Sequence, residues 1–181
     1  DEVFGAVRKL VTDRADTTVL YPVHPNPAVQ DSAHRMLGDL DDVALCEPLG
    51  YQDLVSVLDL CEIVLTDSGG LQEEAPAFGK PVLVLRETTE RPEAVESGVA
   101  RLVGTSAETI IEAVDGLLDS PTDYARMAVG DSPYGDGHAS ERVVAALEGE
   151  PVSEFHTGDR QGLKVAGDEA TMLSSIPASA G

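Results

Sequence analysis

Residues 65–93, LTDSGGLQEEAPAFGKPVLVLRETTERPE, narrow the possible folds of this chain more than any other stretch. An apolar strand runs into Ser68-Gly69-Gly70, a helix with paired glutamates follows, then a second apolar strand and a loop ending in Arg91. The second strand, Pro81 to Leu85, has no polar interruption, so both of its faces need cover. Strand, helix and strand in that order make a βαβ unit with a parallel sheet and a right-handed crossover. The turn between the first strand and the helix is also chemically suggestive. The first N–H groups of a helix have no intrahelical partner, and the helix dipole adds partial positive charge there. Gly69 and Gly70 carry no Cβ to keep a phosphate away from the backbone. A phosphorylated ligand is therefore expected at this turn.

The same alternation extends over most of the chain. Val3, Val7, Leu10 and Val11 recur at helical spacing and predict a helix over about 2–13. Thr17 to Val23 is rich in β-branched residues and reads as a strand leading into a proline-stiffened loop. Asn26-Pro27 resembles an N-cap with proline at the first helical position, opening a helix to about Gly38. A short strand is expected over Val43–Cys46, a helix from about Gln52, a strand over Ile63–Thr66 and a helix over Leu71–Phe78 closed by Gly79. A further strand over Ala100–Val103 precedes helices over about 106–119, 121–129 and 138–148. Five short strands with helices on both faces predict an α/β, Rossmann-like parallel sheet over residues 1–149. Its ligand belongs beyond the carboxyl ends of the strands, the edge that gathers His24, Ser68 and the 86–91 loop. From about Glu150 the periodicity stops, and 150–181 is expected to be a disordered tail of acidic and small residues.

Charge removes one class of partner. With 33 acidic and 12 basic residues the net charge is −21, and nucleic acid needs a basic surface, so none is expected as a partner. The acids are scattered and Arg outnumbers Lys, which fits a halophilic surface whose self-repulsion is screened in strong salt. An ordinary acidic protein is the alternative. No apolar run approaches the ~20 residues of a membrane helix, so no membrane contact is expected. Asp1-Glu2-Val3-Phe4 lacks the basic and apolar regions of a signal peptide and an initiator Met. A cytoplasmic location is expected, in a chain that starts inside a larger protein. Cys46 and Cys61 have no CxxC spacing and read as buried free thiols, with no metal site expected.

Several motifs compete at the glycine turn. Asp67-Ser68-Gly69-Gly70 matches the surroundings of a serine-protease nucleophile, but its flanking parallel strand and acidic helix do not suit those β-barrels. Thr66 occupies the first glycine position of a GxSxG elbow, and neither GxGxxG nor GxxxxGK[ST] occurs. Glu73 and Glu74 point about 100° apart on a helix, so only one can face the ligand cleft. An acid at that depth can accept both ribose hydroxyls, although acids also favour helix N-termini for electrostatic reasons alone. His24 in Val23-His24-Pro25 can contact a phosphate when protonated or shuttle a proton when neutral; a structural histidine is the alternative. Arg86 and Arg91 are candidates for a phosphate fork.

Taken together, TDSGGLQEEAPAFGKPVLVLRETTERPE, YPVHPNP (21–27) and SPYGDGHASERV (132–143) resemble the non-hydrolysing UDP-N-acetylglucosamine 2-epimerases over about 1–148. The similarity is to the carboxyl-terminal half of that family, one of two Rossmann-like domains of a glycosyltransferase-B-like fold. It implies an isomerase that interconverts UDP-N-acetylglucosamine and UDP-N-acetylmannosamine by eliminating UDP and adding it back, in polysaccharide biosynthesis. UDP stays bound throughout and no cofactor is implied. By position, His24 resembles the family's catalytic, diphosphate-contacting histidine. Ser68, Gly69 and Gly70 resemble the diphosphate turn, Glu74 the ribose acid and Arg91 a late diphosphate contact. Leu49 and Leu54 align with the uracil pocket, where many relatives carry Phe at the second position. The resemblance further implies a UDP-sugar substrate, a homodimer, and an amino-terminal domain, unmatched here, that supplies the acids handling the C2 proton. A stand-alone nucleotide-binding remnant of a split gene and a glycosyltransferase donor domain are the alternative readings.

Overall fold

Val82, Leu83 and Val84 form a strand whose three side chains are all inaccessible to solvent. That is the physical outcome of an apolar run with no polar face, and it places this strand at the centre of the fold. The computed structural model describes residues 1–129 and 132–156. Within them the order is α1 (Glu2–Asp13), β1 (Val19–Pro22), α2 (Pro27–Leu37), β2 (Val43–Cys46), α3 (Tyr51–Leu60), β3 (Val64–Thr66) and α4 (Gly69–Glu74). A 3-10 turn (Ala75–Phe78), β4 (Val82–Val84), α5 (Pro92–Glu96), β5 (Ala100–Leu102), α6 (Ala107–Asp119), α7 (Pro121–Met127) and α8 (Ala139–Glu148) complete it.

All strand pairs are parallel, as the alternation of strands and helices requires, and the architecture is α/β and Rossmann-like. The expectation of one five-stranded sheet needs correction. The strands form a two-stranded sheet, β1-β2, and a three-stranded sheet, β3-β4-β5. Between the facing edges lies a cleft of about 670 Å³, lined by Tyr21 of β1, Leu65 of β3 and Phe4 and Val7 of α1. The Phe4 and Tyr21 rings pack with centroids 5.7 Å apart. Side chains therefore line the interval that a β1–β3 ladder would have closed.

The core follows from the two sheets. Leu83 packs with Ala6 and Leu10 of α1 and with Ile110, Val114 and Leu117 of α6. The opposite face of the same strand, Val82 and Val84, packs with Val64, Ala75 and Ala94. A third cluster joins Val7 and Val11 of α1 to Leu37 and Val43. Helix α1 thus contributes to a core on either side.

Local chemistry sets the element ends. Asn26 caps α2, its side chain accepting from the Ala28 N–H at 3.0 Å, and Pro27 begins the helix. The helix expected over 71–78 is instead α-helical only over Gly69–Glu74 and then tightens to 3-10. Pro76 has no N–H to give the carbonyl four residues back, which accounts for the change. Gly79 ends it in the left-handed region at φ 67°. Helix α5 is an addition to the expected elements, with Pro92 at its first position. The two cysteines are half-buried free thiols, not buried ones, and burial pushes the Cys61 thiol up from its ordinary value. Residues 151–156 carry neither helix nor strand, and the expected disordered tail falls outside the described residues from 157 onward.

Candidate functional site

Because β3 and β4 run parallel, their carboxyl ends share one rim, where the loops carry Ser68 and residues 86–91, and the cleft brings His24, just after β1, alongside Ser68. The turn after β3 is built by Thr66. Its buried hydroxyl accepts the Ser68 N–H at 3.0 Å, bending the chain from strand into α4. Ser68 occupies the N-cap position, yet its exposed hydroxyl makes no capping bond. Among the described residues the N–H groups of Gly69, Gly70 and Leu71 meet no acceptor, as expected of a helix start without a side-chain cap.

Of the two turn glycines, Gly69 has the tighter surroundings, whereas a Cβ on Gly70 would meet only Ser68 Oγ at 3.8 Å. A Cβ on Gly69 would stand 3.1 Å from Glu90 Oε1 and 3.7 Å from Arg91 Nη2. Arg91 therefore reaches the helix start, where its guanidinium adds to the positive end of the dipole. It is already paired with Glu73 through Nε, while Arg86 Nη1 holds Glu90 at 2.7 Å. The expected two-arginine fork is thus engaged by the protein's own carboxylates. A backbone hydrogen bond, then Arg86 and Arg91, keep the Glu90 carboxyl below its ordinary value against the opposing effect of desolvation. Of the two adjacent acids, Glu73 faces the neighbouring loop. Glu74 has a buried carboxylate oxygen, Oε2, with no hydrogen-bond partner.

His24 is exposed, and its Nδ1 accepts the Asn26 N–H at 3.1 Å. That bond puts the proton of the neutral ring on Nε2, leaving a donor free for an anion. Leu49 and Leu54 line the 670 Å³ cleft together with Pro48, His24 and Ser68. A second cavity of about 610 Å³ lies under residues 85–90 and shares Leu85 and Thr105 with the first. The cleft therefore gathers His24, Leu49, Leu54 and Ser68, whereas Glu74 and Arg91 are not among its lining residues. Among the described residues no cluster of three or more His, Cys, Asp or Glu could hold a metal ion. No helix among them is long and apolar enough to cross a membrane.

Two residues at the rim had no sequence signal strong enough to single them out. Asp67 lines the cleft, and its carboxylate joins burial in raising the Tyr21 phenol, with burial the larger cause. Gln72 is fully buried and bonded to both Ser68 and Thr89. A lone amide between Leu71 and Ala75, four residues after the N-cap, was the available clue.

Sequence and fold are both similar to those of one family. The sequence model of the family described as UDP-N-acetylglucosamine 2-epimerase matches residues 1–148. The UDP-N-acetylglucosamine 2-epimerase of Bacillus subtilis is 47% identical over 161 residues, covering 89% of this chain and 41% of its own length. An S. aureus MnaA–UDP co-structure aligns with TM-score 0.80 at 41% identity, covering 85% of this chain and 44% of that one. A Neisseria meningitidis UDP-GlcNAc 2-epimerase solved with UDP-GlcNAc aligns with TM-score 0.78 at 40% identity, over 82% of this chain and 40% of that one. The chain spans about 40% of the length of such relatives.

Proposed function

The chain belongs to the UDP-N-acetylglucosamine 2-epimerase family, and on that premise we propose that its residues hold UDP for a non-hydrolysing epimerase. The observation that carries the reading is the set of unpartnered amides at Gly69, Gly70 and Leu71, with Arg91 beside them and the cleft below. Those amides and the Ser68 hydroxyl would bind the diphosphate oxygens. Glu74, whose Oε2 has no partner of its own, would accept the ribose hydroxyls. Leu49 and Leu54 would pack against the uracil.

Epimerisation of this kind removes the C2 proton of the sugar and breaks the C1–O bond, leaving 2-acetamidoglucal and UDP. A proton then reaches the opposite face of C2, and a diphosphate oxygen re-forms the bond to C1. This chain's part is to keep the departed UDP in place and to stabilise its developing charge with preorganised donors. The Nε2–H of His24 would donate to the diphosphate as the C1–O bond breaks. Arg91 would exchange its carboxylate partner for phosphate, so that Glu73 balances its charge only while the site holds no ligand. No cofactor takes part. The acids that move the C2 proton belong to the amino-terminal domain of the whole enzyme, which is a cytoplasmic homodimer acting in polysaccharide biosynthesis.

The test is a UDP titration of the chain and of variants H24A, S68A, E74A and R91A. Each is expected to weaken UDP. If none of the four does, the assignment fails. The chain alone is expected to bind UDP weakly and to leave UDP-N-acetylglucosamine unconverted; turnover by it would refute the division of labour.

A further inference from the structure

We propose that Gln72 is a positioning residue for the diphosphate, locking the 86–91 loop to the glycine turn so that Arg91 stands beside Gly69; this rests on the UDP reading above. Gln72 has no solvent-accessible surface. Its Nε2 donates to the Ser68 carbonyl at 3.2 Å, and its Oε1 accepts from the Thr89 hydroxyl at 2.6 Å. The same Thr89 oxygen accepts the Arg91 N–H at 3.0 Å. A continuous relay of three hydrogen bonds thus runs from the turn's N-cap to the backbone of the arginine.

Packing alone does not call for glutamine here. A buried amide costs free energy unless it is bonded, and Met of similar volume would fill the space without that cost. What the amide adds is a fixed separation between two loops that share no backbone hydrogen bond with each other among the described residues. The Glu73–Arg91 pair holds the guanidinium, whereas the Gln72–Thr89 relay holds the main chain from which it extends. Only the second survives if a phosphate displaces Glu73. Arg91 would then remain over Gly69 with its carboxylate released, which is the geometry a bidentate phosphate contact needs.

The experiment titrates the full 181-residue chain and its Q72M, T89V, T89S and R91A variants with UDP and with uridine, by NMR, alongside thermal melts. Q72M and T89V are expected to weaken UDP about tenfold while uridine affinity moves less than about twofold; T89S, which keeps the hydroxyl, should stay near wild type. Unchanged UDP affinity in folded T89V overturns the proposal. So does a parallel loss of UDP and uridine, which would mark a general structural role. Should Q72M fail to fold, T89V decides alone. If R91A weakens UDP and T89V does not, only the relay is wrong. If R91A is silent, Arg91 makes no diphosphate contact and the relay has no role in binding; if the wild-type chain takes no UDP, the UDP reading falls and the relay's role with it.

Discussion

Glu74 is a carboxylate whose buried oxygen lacks a partner, and unbonded buried polar groups are costly. Glu74→Gln removes the charge while keeping the shape. The expected result is a ligand-free stability equal to or above wild type by up to about 1 kcal/mol, with UDP affinity lowered about tenfold. Paired urea melts and titrations check it, and a large stability loss would mean that the group holds the fold instead. Asp136 is the opposite case. Its carboxylate takes both guanidinium nitrogens of Arg142, at 2.6 and 2.5 Å, and the His138 N–H at 3.0 Å. Those bonds, Arg142 first, hold its carboxyl well below the usual carboxylate range. A folded value below the unfolded one means the contribution is present above about pH 4 and lost as pH falls further. The stability gap between wild type and Asp136→Asn should therefore be larger at pH 7 than at pH 3. At this scale the sequence was only partly readable. Which of Glu73 and Glu74 turns inward follows from helical spacing only as a choice of one, and Arg91 helps to decide it.

At the scale of elements, burial governs. Leu83 sits at the centre of β4 with no exposed surface, so Leu83→Ala should cost about 2–5 kcal/mol through lost transfer energy and an unfilled cavity. Gly79 closes the turn after α4 at φ 67°, where a Cβ is disfavoured. Gly79→Ala should cost about 1 kcal/mol, read from chemical denaturation, with little effect on the cleft. Both features were visible in the residues, one as an unbroken apolar run and the other as a glycine after the last periodic position. Helix α5 was not. Five residues make little more than a turn, too few for periodicity to register, and only Pro92 at the first position hinted at it.

At the scale of the whole molecule, the partition of five strands into two sheets was beyond the sequence. A period of two identifies a strand and its faces, but the neighbour across each edge is decided by packing. The net charge of −21 was readable directly, and its consequence is thermodynamic. In molar KCl the Debye length shrinks to about 3 Å, so repulsion between acids should fade and the melting temperature should rise. Identical melts at low and molar KCl would remove the case for adaptation to brine. Helix α1 belongs to two cores at once, with Ala6 and Leu10 turned to one and Val7 and Val11 to the other. Among the described residues no ladder ties the smaller sheet to the larger, so this helix is a main tether between them. A weakened tether, such as Val11→Ala, should let β1 and β2 come apart ahead of β3, β4 and β5, and amide exchange would then record two tiers of protection where the intact chain keeps one.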